Sequence, residues 1–234
     1  MIAGLAKIVC GIVLAGGPVA GQAPPRAAPL DVPLGPDLAA GGWRELNVPG
    51  ERPNSFVATA EVVTIGSAGA VSFLYRPVDA PRSMTLSWQW RVDRDIPATD
   101  LAAKGRDDRP LALHVWFPAA DARRSGGLVR GVLARMLGAP EWGRALTYVW
   151  GGTLDEGARL SNPYMDGREG ALIVRRTAGA PTGTWLSETV DLAADYRAAF
   201  GAEPPAPSFI ALSSDTDDTN QVAEGSFAAI RFGD

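Results

Sequence analysis

Between residues 83 and 117, apolar and polar side chains alternate with a period of two. Met84, Leu86, Trp88, Trp90 and Val92 are apolar, and the residues between them, Thr85, Ser87, Gln89 and Arg91, are polar. Successive strand side chains point to opposite faces, so the pattern predicts a strand with one dry and one wet side. A charged loop, 93–109, leads to a second run at 110–117. There Leu111, Leu113, Val115 and Phe117 take the dry face, and Ala112, His114 and Trp116 the other. The expectation is that both runs lie at the middle of a sheet, with Gln89, Arg91, His114 and Trp116 pointing the same way.

Similar short runs fall at 43–48, 56–65, 70–76, 145–150, 171–176, 184–190, 208–214 and 223–232. Residues 66–69 are read as the turn of a hairpin between the second and third of these. Two stretches change to helical spacing. In 125–137, Leu128, Val129, Val132, Leu133, Met136 and Leu137 form one face, Arg130 and Arg135 the other, and Gly138 a stop. In 191–201, Asp191 is placed as an N-cap, Gly201 as a stop, and Leu192, Tyr196 and Phe200 as the buried stripe. About ten strands at regular spacing with two helices on connections predict an all-β fold, a two-sheet jelly-roll-like β-sandwich.

The 234 residues suit one such domain over 43–234. The net charge of −4 and the lack of a basic run exclude a phosphate backbone as partner, so no nucleic acid is expected. Residues 1–23 read as a signal peptide: Lys7 supplies the charge, 8–15 the apolar core, and Val19, Gly21 and Ala23 the small residues near a cleavage point. The apolar run is far shorter than the roughly 20 residues of a membrane span, so export to the periplasm or exterior is expected, with no transmembrane segment in the mature chain. Cys10, the one cysteine, lies inside that signal, so the mature chain would carry no disulfide and no cysteine nucleophile. Residues 24–42, with Pro24, Pro25, Pro29, Pro33 and Pro36, read as a leader arm.

Candidate chemistry is concentrated in two places. Asp215, Asp217, Asp218 and Asn220 put hard oxygen donors within six residues, the ligand type Ca²⁺ prefers. The glycine and closing glutamate of an EF-hand loop are missing. Capping of a tight turn by the same side chains is the alternative. Asp107 and Asp108 stand where a loop enters a strand, a favoured position for a binding group. The second place is the wet face with Gln89, Arg91, His114 and Trp116. A flat ring beside Arg, Gln and His suits a glycan, whose apolar face meets the ring while the others bond its hydroxyls. The single histidine and the lack of a Gly-x-Ser-x-Gly run argue against nucleophilic catalysis. Hydrolysis by paired carboxylates drawn from Asp107, Asp108, Glu169, Asp215 and Asp217 stays open.

Several segments together carry a family likeness: 86–92 (Leu-Ser-Trp-Gln-Trp-Arg-Val), 104–108 (Lys-Gly-Arg-Asp-Asp), 146–150 (Leu-Thr-Tyr-Val-Trp), 195–201 followed by Pro204 and Pro205, and 215–219. With them the chain resembles an uncharacterised family of bacterial secreted proteins, catalogued as a domain of unknown function. The family usually has Gly at the position of Arg106 and commonly Asn at that of Asp218, and the stretch around 125–137 is longer than its pattern. The resemblance implies a secreted β-sandwich similar in shape to carbohydrate-binding jelly-roll domains, and no activity or ligand. Three functions are compatible with the sequence: an exported, non-catalytic binding domain for a cell-envelope or extracellular glycan, a hydrolase using acidic loop residues, and a structural or protein-binding envelope component that works through the basic helix.

Overall fold

The computed structural model describes residues 30–79, 81–118, 143–165 and 169–233. The predicted signal at 1–23 and the predicted helix at 125–137 lie outside these. Two sheets pack face to face. Sheet A runs β11 (Leu186–Asp191), β6 (Thr85–Arg94), β13 (Val222–Phe232), β4 (Val62–Ala68), β3 (Ser55–Ala58), and β1 (Leu30–Asp31) also pairs with β13. Sheet B runs β2 (Arg44–Asn47), β5 (Val71–Pro77), β12 (Phe209–Asp215), β7 (Arg109–Pro118), β8 (Gly143–Trp150), β10 (Gly170–Arg176), β9 (Arg159–Ser161). The chain crosses repeatedly between the sheets, which makes the sandwich jelly-roll-like. Among the described residues, no helix is long and apolar enough to cross a membrane.

The period of two sets the core. Leu86, Trp88, Trp90 and Val92 of β6 are all buried, and Leu111, Leu113, Val115 and Phe117 of β7 face them from the other sheet. Edge contacts link Trp88 to Trp90 and Trp90 to Trp150, both with ring centroids 5.5 Å apart, and Tyr148 lies 5.3 Å from Trp88. A second, smaller cluster of Leu101, Ala112, Val149, Leu172 and Val174 forms on the outer side of sheet B. Part of that outer face is therefore dry, contrary to the expected wet face.

The single described helix, α1 (Leu192–Phe200), has the predicted caps. Asp191 accepts hydrogen bonds from the backbone N–H groups of Ala193 and Ala194, and Gly201 closes the helix with φ 65°, a left-handed conformation that glycine adopts without strain. Of the expected buried stripe, Leu192 and Tyr196 are buried, while Phe200 is half-buried with its ring 4.8 Å from that of Tyr196. Asp195 is buried beside them because the Tyr148 hydroxyl donates to its carboxylate at 2.9 Å and Arg159 at 2.6 Å.

The structure corrects three of the expected elements. The run 56–65 is not one strand: β3 and β4 are an antiparallel pair, and the Thr59 N–H bonds the Val62 carbonyl across a turn that contains neither Gly nor Pro. The turn at 66–69 does not close a hairpin. β4 pairs with β13 in sheet A and β5 with β12 in sheet B, so this turn carries the chain between layers. Ser67 and Thr216 fix it with a 2.8 Å bond between their hydroxyls. The described part of the leader arm, from residue 30 on, packs onto the domain: Leu30 and Asp31 pair with β13, and Val32 and Leu34 are buried.

One charged side chain occupies an inward position. Along β11, Leu186, Glu188 and Val190 share a phase, and Glu188 is 2 % exposed. Its carboxylate accepts from the Trp90 indole at 3.2 Å, from Arg176 at 2.7 Å and from Arg175 at 2.8 Å. Both arginines end β10, so Glu188 fastens the edge of sheet A to sheet B. Removing one partner strands buried charge and donors, so Glu188→Ala is expected to lower unfolding free energy by roughly 3 kcal/mol, measured by urea denaturation. Glu188→Gln should lose less.

Candidate functional site

The four side chains expected to share one wet face do not do so. β6 and β7 are central strands of different sheets, and each turns its wet side outward. Gln89 and Arg91 therefore lie on one outer surface of the sandwich, and His114 and Trp116 on the opposite one. The phases along each strand are as expected; the assumption that both strands belong to one sheet is what fails.

His114 has both ring nitrogens occupied. Nδ1 lies 3.0 Å from the Thr147 hydroxyl and Nε2 2.8 Å from that of Ser213, and Phe73 meets the ring edge-on at 5.2 Å. Burial, helped by the Arg109 charge, pushes its pKa down from 6.5 to about 3. It is a neutral polar bridge between β7, β8 and β12. Trp116 is half-buried, packed against Gly143, where a Cβ would stand 2.5 Å from its ring.

On the outer face of sheet A, Arg91 and Gln89 have a neighbour in Trp185, which the sequence pattern places only within the strand-like run 184–190. The Arg91 guanidinium lies 5.0 Å over the Trp185 ring, and Asp93 holds it at 2.9 Å. Gln89 donates to the Ser187 hydroxyl at 3.2 Å. Trp185 precedes β11, out of phase with inward Leu186, so it belongs with Ser187 on the outer side. That phase was the readable signal. Gln89 and Trp185 line an open groove of about 540 Å³ whose other walls include Glu61, Ala228 and Arg231. The Thr64 and Ser226 hydroxyls, bonded to each other at 2.9 Å, lie on neighbouring strands of this sheet.

The acidic residues form a second centre, where the 99–108 loop meets the 215–220 turn. Arg109 bridges Asp107 at 3.0 Å and Asp215 at 3.1 Å, all three being buried. Burial would lower the Arg109 pKa, but Asp215, Asp107 and Asp108 raise it above its ordinary value. Asp108 is fully buried and accepts from the Thr219 N–H at 2.8 Å, the Asp218 N–H at 3.3 Å and the Thr219 hydroxyl. Asp108, Asp215 and Asp217 each place one carboxylate oxygen within 4.8 Å of the others. Burial drives the Asp215 pKa up to about 9; Arg109 opposes the rise, and Asp217, in hydrogen-bond contact, adds to it. Asp218 is exposed and rises to about 6 through partial desolvation and the Asp217 and Asp108 charges.

The two groups of aspartates that stood apart in the sequence thus come together. Asn220 has a role in the turn: it takes a left-handed backbone, φ 52°, and sets its amide oxygen against Gly69. Glu169 lies beside β8, where its carbonyl accepts from the Ala145 N–H at 2.8 Å. A hydrolytic pair needs carboxyls that reach a substrate. Asp107 and Asp108 are closed off from solvent, which suits them to holding an ion or a loop. Tyr164, missed in the sequence, covers this centre: its hydroxyl accepts from the Gly105 N–H at 3.1 Å, and Lys104 stands 5.4 Å from its ring.

The burial of His114 has a consequence in acid. Its folded pKa of about 3 lies below the ordinary 6.5, so between these values the unfolded chain binds the extra proton. Stability is therefore expected to fall as pH drops through that window. His114→Gln should flatten the acid limb of a plot of Tm against pH.

No curated protein matches the chain. Among solved structures, it is similar to the endoglucanase cel12A from Rhodothermus marinus, at 14 % identity, TM-score 0.45, and coverage of 89 % of this chain and 99 % of that chain. It is also similar to the xyloglucanase domain of NopAA, a type three effector from Sinorhizobium fredii in complex with cellobiose, at 9 % identity, TM-score 0.44, and coverage of 82 % and 93 %. The pattern of the family described as "Protein of unknown function (DUF3047)" matches residues 41–231, which is most of the chain, and the chain belongs to that family.

Proposed function

We propose that the protein is an exported, non-catalytic binding domain that takes a cell-envelope or extracellular polysaccharide along the outer face of sheet A. The observation that carries this reading is the juxtaposition of Trp185, Arg91 and Gln89 beside an open groove of about 540 Å³. A pyranose ring has an apolar face of C–H groups and a rim of hydroxyls. Trp185 offers a surface for the first, and the Arg91, Gln89 and Ser187 side chains offer donors and acceptors for the second. Arg91 over the indole also holds the ring in place before a ligand arrives, which reduces the ordering cost of binding. Two of the four residues singled out from the sequence remain in this site, and Trp185 takes the part given to Trp116. The signal-like pattern at 1–23 supports export.

Affinity electrophoresis and calorimetry of the whole chain against soluble plant, fungal and bacterial polysaccharides test the reading. Binding to at least one is expected, and Trp185→Ala should weaken it about tenfold or more. Gln89→Ala should cost less, and Trp116→Ala, on the opposite face, nothing. Binding to none of the panel, or binding indifferent to Trp185→Ala, would overturn it.

A further inference from the structure

We propose that the aspartates gathered between the 99–108 loop and the 215–220 turn form a divalent-cation site selective for Ca²⁺. This is independent of the polysaccharide reading, since it uses other residues at another place in the fold. An ion that bonds oxygen at about 2.3–2.6 Å accommodates ligand pairs up to about 5.2 Å apart. The three oxygens from Asp108, Asp215 and Asp217 all lie within 4.8 Å of one another, so one ion can touch all three. Asp108 and Asp215 each have an atom to give. The Asp108 Oδ1 accepts only the 3.3 Å contact from the Asp218 N–H, and Asp215 engages Arg109 through Oδ2.

A second observation points to a missing partner. The Asp107 side chain is 3 % exposed, its Oδ2 is held by Arg109, and its Oδ1 has no hydrogen-bond donor. Buried carboxylate oxygens without a partner are rare, because desolvation is costly unless something positive replaces water. Asp107 precedes Asp108 in the chain, and Arg109 ties it to Asp215 through adjacent guanidinium nitrogens, so the unpartnered oxygen belongs to a residue linked to two of the three ligands. All donors are hard oxygens, which excludes soft-metal preference, and their irregular arrangement from two loops suits Ca²⁺ better than Mg²⁺, which demands a near-ideal octahedron. Such an ion would fasten the loop before β7 to the turn between β12 and β13, and so join sheet B to sheet A at this end.

The whole chain, stripped of metal with a chelator, is titrated with CaCl₂ by calorimetry and heated with and without the ion, with MgCl₂ at equal ionic strength as control. About 5 mM Ca²⁺ is expected to raise Tm by about 5 °C, and Mg²⁺ clearly less. Asp217→Asn should weaken Ca²⁺ binding at least tenfold while leaving the metal-free Tm little changed, because the amide keeps the size of the carboxylate and can keep its hydrogen bond with Asp215. Asp107→Asn should weaken binding as well. Should either variant fail to fold, the other carries the test. No shift with Ca²⁺, an equal shift with Mg²⁺, or an undiminished response in Asp217→Asn would overturn the proposal. Polysaccharide binding by Trp185 can fail or succeed without affecting any of these outcomes.

Discussion

The packing of Trp88 and Trp90 of β6 against Tyr148 and Trp150 of β8 is the contact on which the rest of the sandwich depends. Large rings meeting edge to face fix the separation and register of two sheets far more tightly than small aliphatic side chains, because few arrangements fill the space. A slip of one residue in β6 would turn both indoles to solvent and bring Gln89 and Arg91 into the core. The same constraint that places the tryptophans inward therefore places the Arg91 guanidinium outward, over Trp185. Core and candidate ligand face are two sides of one alternation.

Glu188 shows how that alternation admits an exception. It holds an inward position beside Trp90 and is neutralised by two arginines from the other sheet. A buried carboxylate with charged partners on both oxygens favours one pairing of sheet edges over others, since any shift leaves charges unmatched in an apolar setting. The aromatic layer supplies the bulk of the packing and the ion cluster its specificity at the edge.

Local pattern was enough to find most of the strands and α1, but not β1, β9 or the break between β3 and β4. Alternation gave the dry faces of β6 and β7, and Asp191 with Gly201 delimited α1 almost to the residue. What could not be read was partnership between distant elements. β6 and β7 have the same pattern in two different sheets, and nothing in either strand says which neighbour it hydrogen-bonds. The β3–β4 turn was invisible because Thr59, Ala60 and Glu61 are residues that strands also tolerate. The acidic centre was half legible. Asp107 and Asp108 stood out at a loop–strand junction and Asp215 and Asp217 by their density, but their convergence depends on β7 and β12 being adjacent. Buried Arg109 gave no warning either, because an arginine that follows two aspartates and precedes a proline reads as a surface turn until its partner Asp215 across the sheet is known.

The position of β13 has a consequence for assembly. Residues 222–232 form an inner strand of sheet A, flanked by β6 on one side and β4 and β1 on the other. A chain that emerges N-terminus first must therefore keep β1, β4 and β6 waiting, each with a backbone edge unpaired, until residues 222–232 have appeared. Contacts spanning some two hundred residues make such closure slow and nearly all-or-none. A sheet that cannot close until residues 222–232 arrive stays open through most of the synthesis of this domain.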